Sequence, residues 1–155
     1  MDRQAPADPA QRGGGLFVYG SLRFPGVLRA LLGRVPPHEP DSAPGWRAAA
    51  VPGEVYPALV AGDEDVPGLD VPGLAVGGLG PRDWEIVDAF EGPFYDLRAI
   101  ELSSGRAEWA YVCARPADVR AYDWDPDWFA REHLGEYERD CADWRHEFLE
   151  GEHRS

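Results

Sequence analysis

Apolar residues, glycines and prolines divide the start of the chain into a strand, a turn and a helix. Residues 16–19 form a short apolar run of strand type, which Gly20 and Ser21 interrupt. Pro25 suits the first position of a helix and Gly33 suits its end. Between them, apolar residues three and four apart predict one buried helical face: Val27, Leu28, Leu31 and Leu32.

The middle of the chain predicts short strands, a helix and a hairpin. Prolines and glycines recur every few positions between residues 35 and 80, so we expect only short strands there. These are placed near residues 46–51, 55–60 and 74–79. Pro81 predicts the start of a helix that ends before Gly92. The two following segments alternate like the paired strands of a hairpin: residues 95–102 and 108–114.

The last third of the chain predicts a helix over residues 126–149. Its apolar residues are spaced by three and four and form one stripe: Leu134, Tyr137, Cys141, Trp144 and Phe148. Asp125 suits the N-cap, and Gly135 is a position where this helix would kink or divide. Strands that come early and mix with short helices, without regular βαβ alternation, favour an α+β fold over a doubly wound sheet.

Length and charge limit the classes of function. The 155 residues predict a flexible tail at residues 1–14 and a single domain at residues 15–150. Lys and Arg number 15 against 28 Asp and Glu, and a net charge of -13 makes nucleic acid and membrane surfaces poor partners. All the basic side chains are Arg, and a chain without Lys cannot use Schiff-base catalysis or a Walker-type phosphate loop.

Cysteine and histidine spacing predicts neither a disulfide nor a cofactor. Cys113 and Cys141 lie in apolar contexts without a CxxC pattern, so we expect two reduced core thiols. The histidines lack metal-binding spacing, and the D-x-D-x-D run from Asp123 lacks the Gly and Glu of a calcium loop. We therefore expect no metal and no other cofactor. No window approaches a membrane span or a signal peptide, so the expected location is cytoplasmic.

Glu91 is the strongest candidate for acid/base chemistry. At about 100° per residue, it falls within about 20° of Trp84 on the predicted helix, whereas Glu85 lies about 100° away from Trp84. A carboxyl on the apolar face, near the negative end of the helix dipole, has its pKa raised. Such a group suits general acid/base catalysis near neutral pH. Alternatively, the helix end turns Glu91 towards water or towards Arg98.

The loop after the first strand is a second candidate. A glycine at Gly20 lets backbone N–H groups converge on a carboxylate or an oxyanion, and Arg23 could add a bidentate clamp. An ordinary strand-to-helix loop would have the same residues. Ser21 is a weak nucleophile candidate, because a nucleophile elbow needs Gly two residues before Ser and that position is Tyr19.

Three motifs in this order resemble the γ-glutamylcyclotransferase-like family, in its AIG2-like branch. They are Phe17-Val18-Tyr19-Gly20-Ser21-Leu22-Arg23, then Tyr56-Pro57-Ala58-Leu59, then Asp88-Ala89-Phe90-Glu91-Gly92 followed by Tyr95. The likeness covers residues 16–148. It implies a small mixed β-barrel flanked by short helices, with a cavity at one end, to which the periodicity adds a longer C-terminal helix.

The resemblance also implies the site. In that family the loop donates backbone N–H groups to the substrate, and the Glu of the D-x-F-E-G motif is the acid/base, which is Glu91 here. The matching substrate-binding residues are Tyr19, Gly20, Ser21, Leu22, Arg23, Tyr56 and Tyr95. Family members often have Arg where this chain has Leu97, with Arg98 next.

The implied activity is release of 5-oxoproline and a free amine from a small γ-glutamyl amide, without a cofactor. Two alternatives stay open: a catalytically silent ligand-binding or regulatory module of the AIG2-like type, and a hydrolase that uses Ser21. The sequence does not identify the amine half of the substrate or predict an oligomeric state.

Overall fold

The computed structural model describes residues 12–154, with side chains described as far as Gly151. Most of the predicted tail, residues 1–11, lies outside the described residues. Six strands and four helices follow in chain order: β1 (Leu16–Val18), α1 (Pro25–Leu32), β2 (His38–Ala50), β3 (Pro57–Ala61), β4 (Leu69–Val76), α2 (Pro81–Glu91), β5 (Tyr95–Glu101), β6 (Ala107–Cys113), α3 (Pro126–Glu132) and α4 (Leu134–Arg154). Single 3-10 turns occur at Ser21–Arg23, Gly92–Phe94 and Pro116–Asp118.

Five strands close into a small mixed barrel. The hydrogen-bonded order runs β1-β4-β2-β3-β6, and β6 pairs with β1 to complete the ring. The β1–β6 and β3–β6 pairs are parallel and the others are antiparallel. β5 lies outside the ring as the hairpin partner of β6. The α+β class and the barrel with flanking helices and a longer C-terminal helix are confirmed.

Both faces of β1 and β6 are buried, in two different cores. One core draws on all five barrel strands and includes Phe17, Ala43, Leu59, Val71 and Ala110. The other packs the opposite faces of β1 and β6 against α1, α2 and α4, and it includes Leu16, Trp109, Leu28, Trp84 and Cys141. Cys113 and Cys141 are buried and free, as expected.

β2 is longer than the frequent prolines and glycines of this region predict. It runs for 13 residues, and its pairing with β4 extends from His38, with a register shift at Gly45. Pro40, Pro44 and Pro72 all lie at alternate positions of this ladder. Antiparallel pairs alternate between hydrogen-bonded and non-hydrogen-bonded positions, and prolines at the second kind remove no ladder bond. Ser42, opposite Pro72, is of the second kind, because its carbonyl turns away from β4 and accepts from the N–H of Ser103. The prediction of short strands alone is wrong for this reason.

The C-terminal helical region divides at His133. Asp125 caps α3 and accepts hydrogen bonds from the N–H groups of Asp127 and Trp128, as predicted. His133 leaves helical geometry, with φ -129° and ψ -18°, and α4 begins at the next residue, so Gly135 lies inside α4. Within the described part of the chain, none of the helices has an apolar stretch that could span a bilayer.

Candidate active site

A cavity of about 320 Å³ lies where β1 ends and β3 and β5 begin. The loop after β1, the end of α2, the turn that follows it and α4 complete its walls. Aromatic rings form most of the lining: Phe17, Tyr19, Tyr56, Phe90, Phe94, Tyr95, Tyr111, Tyr137 and Trp144. A small polar or charged group inside is therefore surrounded mainly by aromatic rings.

Seven of the eight predicted site residues line this one cavity: Tyr19, Gly20, Ser21, Leu22, Tyr56, Glu91 and Tyr95. The Gly20 loop and Glu91 therefore open onto the same space. Arg23 does not line the cavity. Its guanidinium lies over the ring of Phe24, with the Arg23 Cζ atom 5.6 Å from the ring centroid. The bidentate clamp predicted for Arg23 is therefore absent from the described lining.

Glu91 is the last residue of α2, and its placement follows from the helix phase and from the residue after it. Gly92 has φ 70° and ψ -167°, a conformation accessible essentially to glycine alone, so the chain turns off directly after Glu91. Burial, followed by the charge of Asp88, raises the pKa of Glu91 to about 8. Glu85 is exposed and pairs with Arg82 at 3.0 Å. The predicted helix phase is confirmed.

Asp88 lies one turn before Glu91, behind the cavity wall. The hydroxyl of Tyr111 donates to Asp88 Oδ1 at 2.5 Å. Nη1 of Arg12 lies 2.7 Å from Asp88 Oδ2. Both oxygens of Asp88 are thus occupied by protein donors, and the ring of Tyr111 is fixed as part of the cavity wall.

Two of the tyrosine hydroxyls around the cavity, those of Tyr19 and Tyr95, bind backbone groups. Tyr19 Oη donates to the carbonyl of Tyr111 at 2.6 Å and accepts from the N–H of Leu59 at 3.1 Å, so it joins β6 to β3. Tyr95 Oη donates to the carbonyl of Pro57 at 2.8 Å. The resemblance implied that Tyr19 binds the substrate, but its hydroxyl is hydrogen-bonded to the backbone of two strands and so acts as a structural tie.

The loop after β1 is held tightly against β3 and α4. A Cβ atom at Gly20 would lie 2.7 Å from Cδ of Pro57, so no larger residue is accommodated without movement. Ser21 Oγ donates to Tyr137 Oη at 3.0 Å. The first N–H groups of the turn Ser21–Arg23 have no acceptor within it.

Sequence reasoning missed several lining residues: Phe90, Phe94, Tyr111, Tyr137, Asp140, Cys141 and Trp144. Three of those on α4 belong to the predicted apolar stripe, for which the sequence suggested no role in the site: Tyr137, Cys141 and Trp144. A stripe that covers a barrel end has the same spacing as one that fills a core, so periodicity could not separate them.

Neither Leu97 nor Arg98 reaches the cavity lining. Leu97 is buried in the core between β5 and the helices. Arg98 lies 3.6 Å from Asp96 on the same strand, as Arg98 Nη2 to Asp96 Oδ2, and is a partly exposed strand charge. It does not take the role of the Arg that family members often have at position 97.

The titratable side chains of the lining limit the chemistry that the cavity can perform. Among the described residues that line the cavity there is no histidine and no basic side chain, and no described group of three or more side chains could hold a metal ion. The lining has two carboxyl groups, Glu91 and Asp140, and Glu91 is the one whose raised pKa lets it exchange a proton near neutral pH. Fold and site together define a small mixed β-barrel with a buried carboxyl, of raised pKa, in a cavity lined mainly by aromatic rings.

The chain belongs to the gamma-glutamyl cyclotransferase, AIG2-like family, whose model matches residues 16–144. It is 34% identical to AIG2-like protein C of Arabidopsis thaliana over 88 residues, which is 56% of this chain and 48% of that protein. It is 28% identical to AIG2-like protein A of the same plant over 128 residues, covering 80% and 72%. The match to protein C thus spans about half of that relative's length.

Two solution structures of Arabidopsis thaliana proteins share the fold. One has a TM-score of 0.60 and 22% identity, covering 92% of this chain and 86% of the other. The second has a TM-score of 0.58 and 24% identity, covering 80% and 85%. At this level of identity the likeness concerns the fold alone.

Proposed function

We propose that the protein is a γ-glutamyl cyclotransferase, which converts a γ-glutamyl amide into 5-oxoproline and a free amine. The observation that supports this most directly is the position of Glu91. Glu91 lines the same aromatic cavity as the Gly20 loop, and burial and the charge of Asp88 raise its pKa to about 8. Family membership supports the same chemistry.

The reaction needs a base, an acid and an oxyanion site, but no external nucleophile. The α-amine of the glutamyl group attacks its own side-chain carbonyl carbon and forms a five-membered ring. The carbon–nitrogen bond to the leaving amine then breaks. Because attack is intramolecular, holding the substrate in the reactive conformer removes much of the barrier.

Glu91 carries the protons in this scheme. As carboxylate it takes a proton from the substrate's α-ammonium, and as acid it protonates the leaving nitrogen. A further proton passes from the ring nitrogen to the amine after addition, so the α-ammonium loses two protons and the leaving nitrogen gains two. The N–H of Arg23 is bound to the carbonyl of Gly20, so the backbone N–H groups of Ser21 and Leu22 are the candidate donors to the oxyanion.

The features of Ser21 do not favour a serine hydrolase. Its hydroxyl donates to Tyr137, and the described cavity lining offers no histidine that could take its proton. A catalytically silent module would have no use for an enclosed carboxyl, since burying an unpaired carboxyl costs stability.

A panel of γ-glutamyl compounds tests the proposal: amino acids, simple amines and glutathione-like peptides. The readout is 5-oxoproline and free amine, each quantified by mass spectrometry. We expect the two products in equal amounts from at least one class. Free glutamate in place of 5-oxoproline would support the hydrolase. A rise in melting temperature without turnover would support the silent module.

A further inference from the structure

An arginine that precedes the barrel is buried beside the site. The side chain of Arg12 is only 5% exposed, and its guanidinium lies over the ring of Trp84, with Cζ 5.2 Å from the ring centroid. Its Nη1 atom contacts Asp88 Oδ2 at 2.7 Å. A guanidinium taken out of water is disfavoured unless a carboxylate offsets its charge, and Asp88 is placed to do so.

The backbone around Arg12 is fixed to β6. The carbonyl of Gly13 accepts a hydrogen bond from Trp109 Nε1 at 2.7 Å. The N–H of Gly15 donates to Glu108 Oε2 at 2.7 Å, and the carbonyl of Gly15 accepts from the N–H of Trp109 at 3.0 Å. The end of the predicted tail is therefore docked on the barrel, and Arg12 is held in place.

Arg12 is linked to the cavity through Asp88. One oxygen of Asp88 binds Arg12, the other accepts from Tyr111, and the ring of Tyr111 lines the cavity beside Glu91. Glu91 follows Asp88 by one helical turn. Asp88 without a counter-charge would place a full negative charge behind Glu91, whereas the ion pair with Arg12 offsets much of that field.

The other titratable groups around Glu91 are mostly uncharged near pH 7, so Asp88 and Arg12 are the main charges near it. Tyr19, Tyr56, Tyr95, Tyr111 and Tyr137 come from five different segments, and burial raises the pKa of each phenol above its ordinary value. Burial likewise raises the pKa of Cys141, to about 12. These groups stay neutral near pH 7. Asp140 also lines the cavity, but its residue is exposed to solvent, which screens it.

We propose that Arg12 is a positioning residue of the active site. Through its ion pair with Asp88, the charge of Arg12 sets how readily Glu91 ionises. The inference rests on the proposed function, in which Glu91 must lose and regain a proton during each turnover. It goes beyond that function by assigning a role to a residue outside the cavity and before the first strand.

Two substitutions that act in opposite directions test the proposal. Arg12→Met leaves the charge of Asp88 uncompensated, so Glu91 should titrate at higher pH. Asp88→Asn removes that charge and keeps an oxygen for Tyr111, so Glu91 should titrate at lower pH. Arg34→Met is the matched control. Arg34 pairs at 3.0 Å with Asp83, which is on the same helix as Asp88, and neither Arg34 nor Asp83 lines the cavity.

The readouts are a carbon-13 NMR titration of the Glu91 carboxyl and the pH profile of kcat/KM. We expect Arg12→Met to lower kcat/KM at pH 7 by about three- to tenfold, relative to the plateau that the same variant reaches at alkaline pH. This is the effect of one nearby charge in a medium of intermediate dielectric. Arg12→Lys keeps the charge and should restore most of the loss. Arg34→Met should change the melting temperature alone.

The NMR titration separates this inference from the proposed function. If no γ-glutamyl compound is turned over, the titration still reports whether Arg12 and Asp88 control Glu91. If Arg12→Met does not fold, the downward shift expected for Asp88→Asn decides the question. Unchanged titration of Glu91 in Asp88→Asn, or in a folded Arg12→Met, would overturn the inference.

Discussion

Asp88 and Glu91 lie one turn apart on α2, but their carboxyl groups have opposite surroundings. Asp88 accepts a hydrogen bond from Tyr111 on one oxygen and contacts Arg12 with the other. Glu91 faces the aromatic cavity, where burial and the charge of Asp88 raise its pKa to about 8. One helix end thus supplies a fixed ion pair and, beside it, a carboxyl that can exchange protons near neutral pH.

Replacing Glu91 by Gln should abolish proton transfer while keeping the shape of the side chain. We expect turnover to fall by about 10²–10⁴-fold, the usual effect of losing a general acid/base group. Glu85→Gln is the control, since Glu85 lies exposed on the same helix. Turnover by Glu91→Gln within a few-fold of the parent protein, measured as 5-oxoproline release, would falsify the role of Glu91.

Stability should depend on pH through Glu91. Because its pKa is raised from 4.5 to about 8 on folding, the folded state is penalised as pH rises through that range, and no penalty exists below pH 4.5. We expect Glu91→Gln to gain stability relative to the parent protein between pH 5 and pH 8, by up to about 3 kcal/mol. Thermal melts at both pH values measure this. A difference that does not grow with pH would contradict the assigned pKa.

The hydroxyl of Tyr19 should matter for stability. Tyr19→Phe leaves the N–H of Leu59 and the carbonyl of Tyr111 without their partner, so we expect a loss of about 1–3 kcal/mol in the free energy of unfolding. Chemical denaturation measures the loss. Tyr122→Phe, at a position 63% exposed, should have no comparable effect. A Tyr19→Phe variant that melts normally but loses turnover would instead assign the hydroxyl to the substrate.

Gly92 should be required for activity through its backbone alone. Nothing lies within 4 Å of a Cβ atom built there, so Gly92→Ala meets no clash, but its φ of 70° and ψ of -167° are strained for alanine. We expect a cost of about 1–3 kcal/mol and a displaced Glu91 with reduced turnover. Gly53→Ala, at an open position with φ 78°, is the control. Gly53→Ala should lose stability without losing turnover.

Local patterns were sufficient to predict most of the elements. The bounds of α1 and α2 follow from proline at the start and glycine at the end, and the phase of α2 places Glu91 on the apolar face. The β5–β6 hairpin follows from alternation. The long strand β2 could not be predicted, because the tolerance of its prolines depends on a partner strand that is distant in sequence.

The sequence predicted only those residues of the candidate site that lie in recognisable motifs. Glu91 and the Gly20 loop were found because each has a local signal. Arg12 has none, since its partner Asp88 is 76 residues away and the contact depends on β1 beside β6. Arg23 was misassigned because sequence adjacency to the loop does not fix which way a side chain points after a 3-10 turn.

Charge at the cavity rim should decide which amine half is accepted. Asp140 is the exposed charged residue of the lining, and no basic side chain is present among the described lining residues to meet a second carboxylate.

γ-Glutamyl compounds of one chain length, ending in an ammonium, a methyl or a carboxylate, isolate this effect. We expect kcat/KM to fall in that order, by about three- to tenfold between the ends of the series at low salt, and less at high salt. Asp140→Asn should reduce the spread, whereas Asp143→Asn, exposed on the same helix but outside the lining, should not. Equal rates for the three compounds, or a preference for the carboxylate, would show that the rim does not select by charge.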